Sequence, residues 1–538
     1  MLIPTTLDLS RSTSYFWALL PEIVLTLWAM LVLVVDVAQK GNRSEPSRPV
    51  IGWLSLAGVV AAAIANGVLL RFHAAEGAGM VALDGFRVFI NFVILGSAAL
   101  TLLMAQGFLD RRGLNRGEFH ALVLFATAGM LVMAGARDLL MVFIGLELMS
   151  IAIYVLVGFD RLDERSAEGA LKYFLLGAFS SAFFLFGIAL TWGATGTTDI
   201  VLIGRDILGG VTLVTPLLLA GMAMLLVGFG FKVAAMPFHM WTPDAYEGAP
   251  TPVTSLMSTG VKAAAFASFI RVFVIGFGAA PEKWVQVGFW IAVVTMVGAN
   301  LVALTEGSLK RMLAYSSIAH AGYLLVALLA NNAEGAAAFL FYLLAYTVMT
   351  GGAFALLIAN SREATGEERV SLEDWAGFAR EKPLLAALFS IFLLSLAGFP
   401  LTAGFLGKLY ILRAAIAAGL TPLAVILVLA SLVSYFYYLR VVVVMYMSPA
   451  KAEGEHRAAR LPAPAMAGVV ASAALVVLLF FMAGRIPFTG TGPMSWAEKS
   501  ANSLWPAEWY SGQAAPAPAP AVPLPGLEPE LGTPLAPR

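Results

Sequence analysis

The chain of 538 residues contains no cysteine. This excludes disulfides, thiolate-ligated iron–sulfur clusters and zinc–thiolate sites. Any redox chemistry tied to this chain belongs to another chain or to a cofactor held without thiolates. Charge is scarce as well: Asp, Glu, Lys and Arg make up 12% of the residues, against about 25% in an ordinary soluble domain. A typical soluble enzyme is excluded, and so is a disordered chain, which is polar or charge-rich. The 33 basic residues are matched by 33 acidic ones, so no net positive field draws nucleic acid. There are five histidines, and no two form the one-helix pattern that demands a haem. No Gly-rich phosphate loop of the P-loop or dinucleotide type stands in the required context.

What the chain has is hydrophobic length. Sixty per cent of its residues are hydrophobic, and its mean hydropathy is +0.85. Runs of roughly 20 apolar residues are long enough to cross the hydrocarbon core. About 14 of them can be read, near 15–36, 51–70, 86–108, 119–135, 139–158, 170–193, 212–236, 254–276, 286–304, 311–330, 335–359, 383–418, 421–446 and 464–484. Only helices and closed barrels span lipid. Barrel strands alternate with period two, and runs such as Leu213 to Gly230 do not. The expected fold is therefore an all-α polytopic membrane protein of about 14 transmembrane helices. The first run lacks a basic flank and exceeds the usual apolar stretch of a signal peptide, so it reads as a retained span. The stretch from 512 to 538 is rich in Pro and Ala. It reads as disordered or polyproline-like, with no chemistry of its own.

Lys and Arg placement sets the expected topology. With the amino terminus outside, inner loops hold 18 basic residues, and the outer loops with the tail hold 11. Both termini are thus expected outside. Four basic residues remain inside or at the edge of spans: Lys232, Lys262, Lys408 and Arg440.

Two spans do not fit one straight helix. The run 383–418 has 36 residues, about 54 Å as a helix at 1.5 Å per residue, whereas the hydrocarbon core is about 30 Å thick. Gly398-Phe399-Pro400 lies within it, and a break is expected near Pro400. The seventh span runs apolar to Lys232, meets Pro237 and enters HMWTPDAYEGAPTPVT. Broken spans are tolerated where the freed backbone lines a polar cavity. In transporters, interrupted spans at matching places in two halves point to the transport site. Residues 118–276 and 284–446 each hold five spans, of opposite topology, and in each the fourth is broken. The expected division is a three-helix segment 1–117, two inverted five-helix repeats 118–276 and 284–446, a last helix with its flank 447–511, and the tail 512–538.

An ionisable residue at a helix centre costs roughly 2.5–3.5 kcal/mol on insertion scales. Glu147 in MVFIGLELMSIAIY, Lys232 in LLVGFGFKVAAMP, Lys262 in STGVKAAAF and Lys408 in GFPLTAGFLGKLY lie too deep to snorkel. Burial disfavours a charged lysine and a carboxylate restores it, so lysines that gain and lose a partner take and release protons. His239 falls between Lys232 and Lys262, and His320 in YSSIAHAGY has Ser316 and Ser317 within a turn. Either histidine can relay a proton; His239 can instead cap the helix break. Arg137 and Asp138, and Glu168 and Lys172, read as helix-end and loop charge. Glu22 reads as structural. Tyr435, Tyr437, Tyr438 and Arg440 in SYFYYLR read as an interfacial belt with a snorkelling arginine.

These residues resemble a known family. PFHMWTPDAYEGAPTPVT (237–254), flanked by Lys232 and Lys262, is similar to the proton-pumping membrane subunits of respiratory complex I. Those subunits are similar in turn to the large subunits of multi-subunit sodium/proton antiporters. KRMLAYSSIAHAGY (310–323) resembles the family's tenth span and SLAGFPLTAGFLGKLY (395–410) its broken twelfth. The opening LPEIVLTLWAMLVLVVD (20–36), Tyr246 where the L and M branches usually show His, Lys408 where M has Glu, and the lack of a long amphipathic helix after the last span favour the N branch. The resemblance covers about 15–485. It implies two inverted five-helix repeats, Glu147 paired with Lys232, Lys262 as central relay and Lys408 on the exit side. It implies no cofactor in this chain, with NADH, FMN, iron–sulfur clusters and quinone held elsewhere in the complex. It implies partners among the membrane subunits, notably M and K and the lateral helix of L, within the bilayer of a bacterial inner membrane. The Pro/Ala tail departs from the family pattern. Two other readings use the same residues: a cation/proton antiporter subunit without a redox partner, and a scaffold with static charges.

Overall fold

The computed structural model describes residues 15–39, 49–70, 79–361, 368–449, 461–483 and 492–505. The tail 512–538, His73 and His456, and loop residues such as Lys40, Arg43 and Arg362 lie outside the described residues.

In lipid every backbone N–H and C=O must be met within the protein, which leaves helix as the default for apolar runs of this length. Among the described residues there is no strand, only three isolated bridges between loops. The first six long helices are α1 Leu20–Gln39, α2 Val50–Leu69, α3 Gly85–Arg111, α4 Gly117–Ala134, α5 Leu139–Val157 and α6 Glu164–Thr195. The short α7 Ile200–Leu208 leads to α8 Pro216–Lys232, α9 Thr242–Gly248 and α10 Thr251–Leu256. A π-helical turn (257–261) joins α10 to α11 Lys262–Ile270, and a second (271–276) ends that span. Next come α12 Val285–Thr305, α13 Leu309–Leu329, α14 Ala333–Ala359, the single-turn α15 Phe378–Glu381, α16 Pro383–Ala397 and α17 Ala403–Ala417. The last are α18 Thr421–Met447, α19 Ala463–Phe481 and α20 Pro493–Asn502.

Among the described residues, twelve helices are long and apolar enough to cross a membrane, with 251–276 counted as one. They coincide with twelve of the fourteen runs. The other two runs are the broken ones. The seventh stops at Lys232, where Ala234 takes a left-handed backbone and Pro237 follows. The twelfth splits into α16 and α17 at Gly398, Pro400 and Leu401, with φ of +91° at Gly398 and +73° at Leu401. Glycine tolerates that backbone and proline cannot continue a helix.

Helix starts follow the expected chemistry. Asp138, read as helix-end charge, caps α5 through the Leu140 N–H at 2.8 Å and also accepts from Thr198 at 2.6 Å. Close packing depends on small residues: a Cβ on Gly129 would lie 2.5 Å from the Met149 nitrogen, and one on Gly145 2.5 Å from the Met133 nitrogen. This lets α4 and α5 touch backbone to backbone, as in membrane helix pairs generally. The helices 251–276, 309–329 and 333–359 form the centre, almost wholly enclosed. Helices α1, α2, α6 and α18 carry apolar residues outward, among them Leu27, Ile64, Phe179 and Leu432.

Buried ion pairs fasten both ends. At the end where α1 starts, here the near end, Arg87 pairs with Glu22 at 2.6 Å and Arg271 grips Asp84 at 2.7 and 3.1 Å. This ties α1 and α3 to the span 251–276 and gives Glu22 the structural place expected of it. At the opposite, far end, Lys310 of α13 donates to Glu368 at 2.7 Å and to the Ala249 carbonyl at 2.6 Å. Glu368 also accepts from the Thr251 N–H at 3.1 Å and its hydroxyl at 2.6 Å. Burial alone would raise the Glu368 carboxyl, but Lys310 and the Thr251 hydroxyl outweigh it and hold it below the usual carboxylate range.

A depressed carboxylate stabilises the fold above its unfolded value of about 4.3, and that contribution fades as pH falls through the lower folded value. Between pH 6 and 8 it is constant. Glu368→Gln should therefore cost on the order of 3 kcal/mol at neutral pH, by leaving Lys310 buried without its partner. Thermal melts of the detergent-solubilised protein at pH 7 and pH 4 test this. The deficit of the variant should be large at pH 7 and shrink at pH 4.

Candidate functional site: a buried line of lysines

All three expected lysines are buried, and each lies at or near a helix discontinuity. Lys232 is the last residue of α8, Lys262 the first residue after a π turn, and Lys408 lies within two turns of the start of α17. π turns and broken ends leave backbone groups and side chains free of regular packing, which is where functional residues are commonly placed.

Glu147 sits on α5 with Ser150 and Tyr154, at spacings of three and four that share one helix face. Its carboxylate accepts from the Ser181 hydroxyl of α6 at 2.5 Å. Lys232 does not form the expected direct pair with it. The ammonium donates instead to Ser150 at 2.8 Å and toward the Tyr154 hydroxyl at 3.4 Å. It also lies over the rings of Tyr154, Tyr173 and Phe231 at 5.4 to 5.6 Å. The reason is local: one turn along α5 from Glu147, Ser150 offers a closer oxygen, while Ser181 occupies the carboxylate.

Lys262 donates to Ser317 of α13 twice, to its hydroxyl at 2.5 Å and its carbonyl at 2.6 Å. Tyr346 of α14 donates to the same hydroxyl at 2.9 Å. One turn further along α13, His320 Nδ1 meets the Tyr342 hydroxyl at 2.5 Å, and Nε2 meets that of Tyr438 at 3.3 Å. Tyr438 in turn bonds Ser316. Ser317 thus joins Lys262 to α14, and one turn away Ser316 and His320 join α13 to α14 and α18, two polar clusters side by side on α13.

Lys408 reaches back across the twelfth-span break. Its ammonium donates to the carbonyls of Leu396 and Ala397, at 3.1 and 2.8 Å, and lies 4.9 Å over the Tyr323 ring. These are the open carbonyls at the carboxyl end of α16, which carry the negative end of its dipole. Both Lys408 and Lys262 are near enough to act electrostatically on His320.

Between Lys232 and Lys262 the polar line is interrupted by rings. Tyr154 packs edge-on to Tyr173 at 4.7 Å, Tyr173 stacks on Trp241 at 4.3 Å, and Trp241 meets Tyr246 at 6.1 Å. The Tyr246 hydroxyl faces Ser317. His239 lies half-buried on the break beside exposed Met240, with no hydrogen bond to either lysine.

The tyrosines of SYFYYLR also differ from expectation. Tyr437 and Tyr438 are fully buried rather than interfacial, because α18 turns that face toward α12 and α13. Arg440 does not snorkel; it donates to the Leu304 carbonyl at 3.0 Å and the Glu306 carbonyl at 2.5 Å, closing the end of α12. Ser150, Tyr154 and Ser181 escaped the sequence reading. Ser150 and Tyr154 could have been found from their spacing to Glu147, but Ser181 could not, since it arrives from another helix.

A family model described as NADH:quinone oxidoreductase/Mrp antiporter, transmembrane, matches residues 136–434. A protein of Trichlorobacter lovleyi named NADH-quinone oxidoreductase subunit N is 44% identical over 85% of this chain and 92% of its own. One of the same name from Myxococcus xanthus is 40% identical over 91% and 98%. A chain in the structure of respiratory complex I from Thermus thermophilus with bound aureothin superimposes with a TM-score of 0.72 at 36% identity, over 86% of this chain and 96% of that one. The chain belongs to the NADH:quinone oxidoreductase/Mrp antiporter membrane family, in the branch whose members are named NADH-quinone oxidoreductase subunit N.

Proposed function

We propose that this chain is membrane subunit N of NADH-quinone oxidoreductase, and that it moves protons along Glu147, Lys232, Lys262, His320 and Lys408. Electron transfer from NADH to quinone takes place in other subunits, which hold FMN, iron–sulfur clusters and the quinone site. The observation that carries the reading is the state of the three lysines. Each is buried in the core, and none has a carboxylate within ion-pair distance among the described residues. Their charges rest on hydroxyls, carbonyls and rings. Such contacts hold an ammonium far less firmly than a buried carboxylate does.

That arrangement suits transfer. Glu147 is one helical turn from the oxygen that Lys232 uses, so a small side-chain rotation brings the pair together. When they meet, the charge on Lys232 is favoured; when they part, it is disfavoured and the proton has reason to move on. A charge on Lys262 is then opposed by a charge on Lys408, with His320 and its tyrosines between them. Protons pass between these stations as each charged state is raised or lowered in turn, a population shift driven by differential electrostatics. The ring-filled interval between Lys232 and Lys262 needs water to carry a proton, and opening and closing it sets when transfer occurs. We assign His239 no part in the line; its place on the break suits a contact at the protein's edge.

The blocks 118–276 and 284–446 serve in this reading as two inverted repeats, each supplying one broken span. Residues 1–117 form a preceding three-helix segment, and 447–511 the last helix with its flank. Neighbouring subunits M and K and the lateral helix of L are the expected partners. The location is a bacterial inner membrane with both termini on its outer side, from the placement of Lys and Arg.

Lys232→Ala should lower both NADH-driven quinone reduction and the proton gradient in inverted membrane vesicles by about tenfold, with the complex still assembled on a native gel. Unchanged values of both would assign the lysines a static role. Glu147→Gln keeps the hydrogen bond from Ser181 but removes the charge. It should lower coupled activity nearly as far, whereas Glu147→Asp should retain part of it. Tyr438→Phe removes the hydroxyl shared by Ser316 and His320. It should slow proton translocation several-fold while leaving assembly intact, measured by the same paired assay.

A further inference from the structure

On the near end of the bundle, an apolar groove and a charged hollow meet at Arg413. The groove encloses about 690 Å³ between α17 and α18, walled by Leu409, Leu412, Ile416, Val425, Val428 and Leu429. The hollow encloses about 260 Å³ between α14, α17 and α20, where Glu334, Glu498 and Tyr410 stand around Arg413.

Depth decides what can fit. Arg413 lies four residues before the end of α17, and Glu334 is in the first turn of α14. Both are thus within about 6 Å of the helix ends at 1.5 Å per residue. The groove runs inward from there along spans of membrane-crossing length. Its axis from Ala417 to Leu409 covers about 12 Å by the same rise. A ligand filling both places has charge at the level of the membrane surface and a hydrocarbon tail below it. That is a phospholipid.

The charges choose the headgroup. Arg413 is largely exposed, and among the described residues its partner is Glu334 at 3.6 Å, a long contact that leaves most of its five donors unused. One guanidinium stands with two carboxylates, Glu334 and Glu498. A purely anionic headgroup meets net repulsion there. A headgroup with both signs places its phosphate on Arg413 and its amine at the carboxylates. A primary ammonium donates hydrogen bonds to them, and a trimethylated one has none to give. Helix α20 holds the hollow in shape: Ala497 and Ala501 are buried, and Trp496 packs on Phe89 at 4.5 Å.

We infer that Arg413, Glu334 and Glu498 form a headgroup site for a phospholipid bearing a primary ammonium, phosphatidylethanolamine in class, with one acyl chain in the groove between α17 and α18. The site stands apart from the lysine line and does not depend on the reading given above.

A photoreactive phenylalanine analogue at Val425, in the whole complex within native membranes, tests it. After illumination, mass spectrometry of the adducted peptide identifies what lies in the groove. The expected adduct is phosphatidylethanolamine, enriched over its share of the bulk membrane lipid. Arg413→Ala should reduce that enrichment by about tenfold, the loss expected from one charge-assisted contact. Glu334→Gln with Glu498→Gln should shift the adducts toward anionic lipid. Adducts in bulk proportions, a peptide of a neighbouring subunit, or no lipid adduct at all would each overturn the proposal. So would an enrichment that Arg413→Ala leaves unchanged.

Discussion

An ammonium inside a membrane protein must find oxygen, because neither lipid nor tightly packed helix supplies it. The core of this chain is arranged around meeting that demand three times, by three different means. Lys232 uses two side-chain hydroxyls of one neighbouring helix. Lys262 uses both oxygens of Ser317. Lys408 uses the carbonyls that a broken helix leaves open. None of these is a full opposite charge. The core thereby tolerates the lysines without locking them, which is what the proposed proton transfer requires of them.

The same demand accounts for the departures from regular helix. A straight α-helix spends its carbonyls on itself. To hold Lys408, α16 must stop, and Gly398 and Pro400 stop it. To place Lys262 on the face toward Ser317, the span 251–276 carries a wider turn just before it. Breaks and π turns are therefore parts of the site rather than defects in the bundle. By contrast, the charge pairs Arg87–Glu22 and Lys310–Glu368 sit at helix starts and in loops, where full pairing costs the site nothing.

Much of the architecture was legible in the sequence because hydrophobic length is a one-dimensional property. Twelve of the apolar runs fall on membrane-length helical spans, and the two runs marked as broken by Pro and Gly are broken. Glu147, Lys232, Lys262, Lys408 and His320 stood out because ionisable residues are rare in such runs, and each is in the bundle's polar interior or on its edge. Direction was less legible. SYFYYLR has the composition of an interfacial belt, yet Tyr437 and Tyr438 face inward, since only packing against α12 and α13 decides which side of α18 is buried. The Lys232 contact to Ser150 was hidden for a similar reason. It depends on which of several oxygens lies nearest in three dimensions.

Helix α18 makes four attachments within six residues. Tyr435 donates to the Gly398 carbonyl at the break, Tyr437 to Asn300 of α12, Tyr438 shares its hydroxyl with Ser316 and His320, and Arg440 closes the end of α12. Hydroxyls and a guanidinium make these joints, and all lie close to one level of the helix. A small twist of α18 about its own axis is thus felt at once by the break, the histidine and α12. Any rotation of α18 about its own axis would therefore change the hydrogen bonding around His320 together with that at the break and at α12.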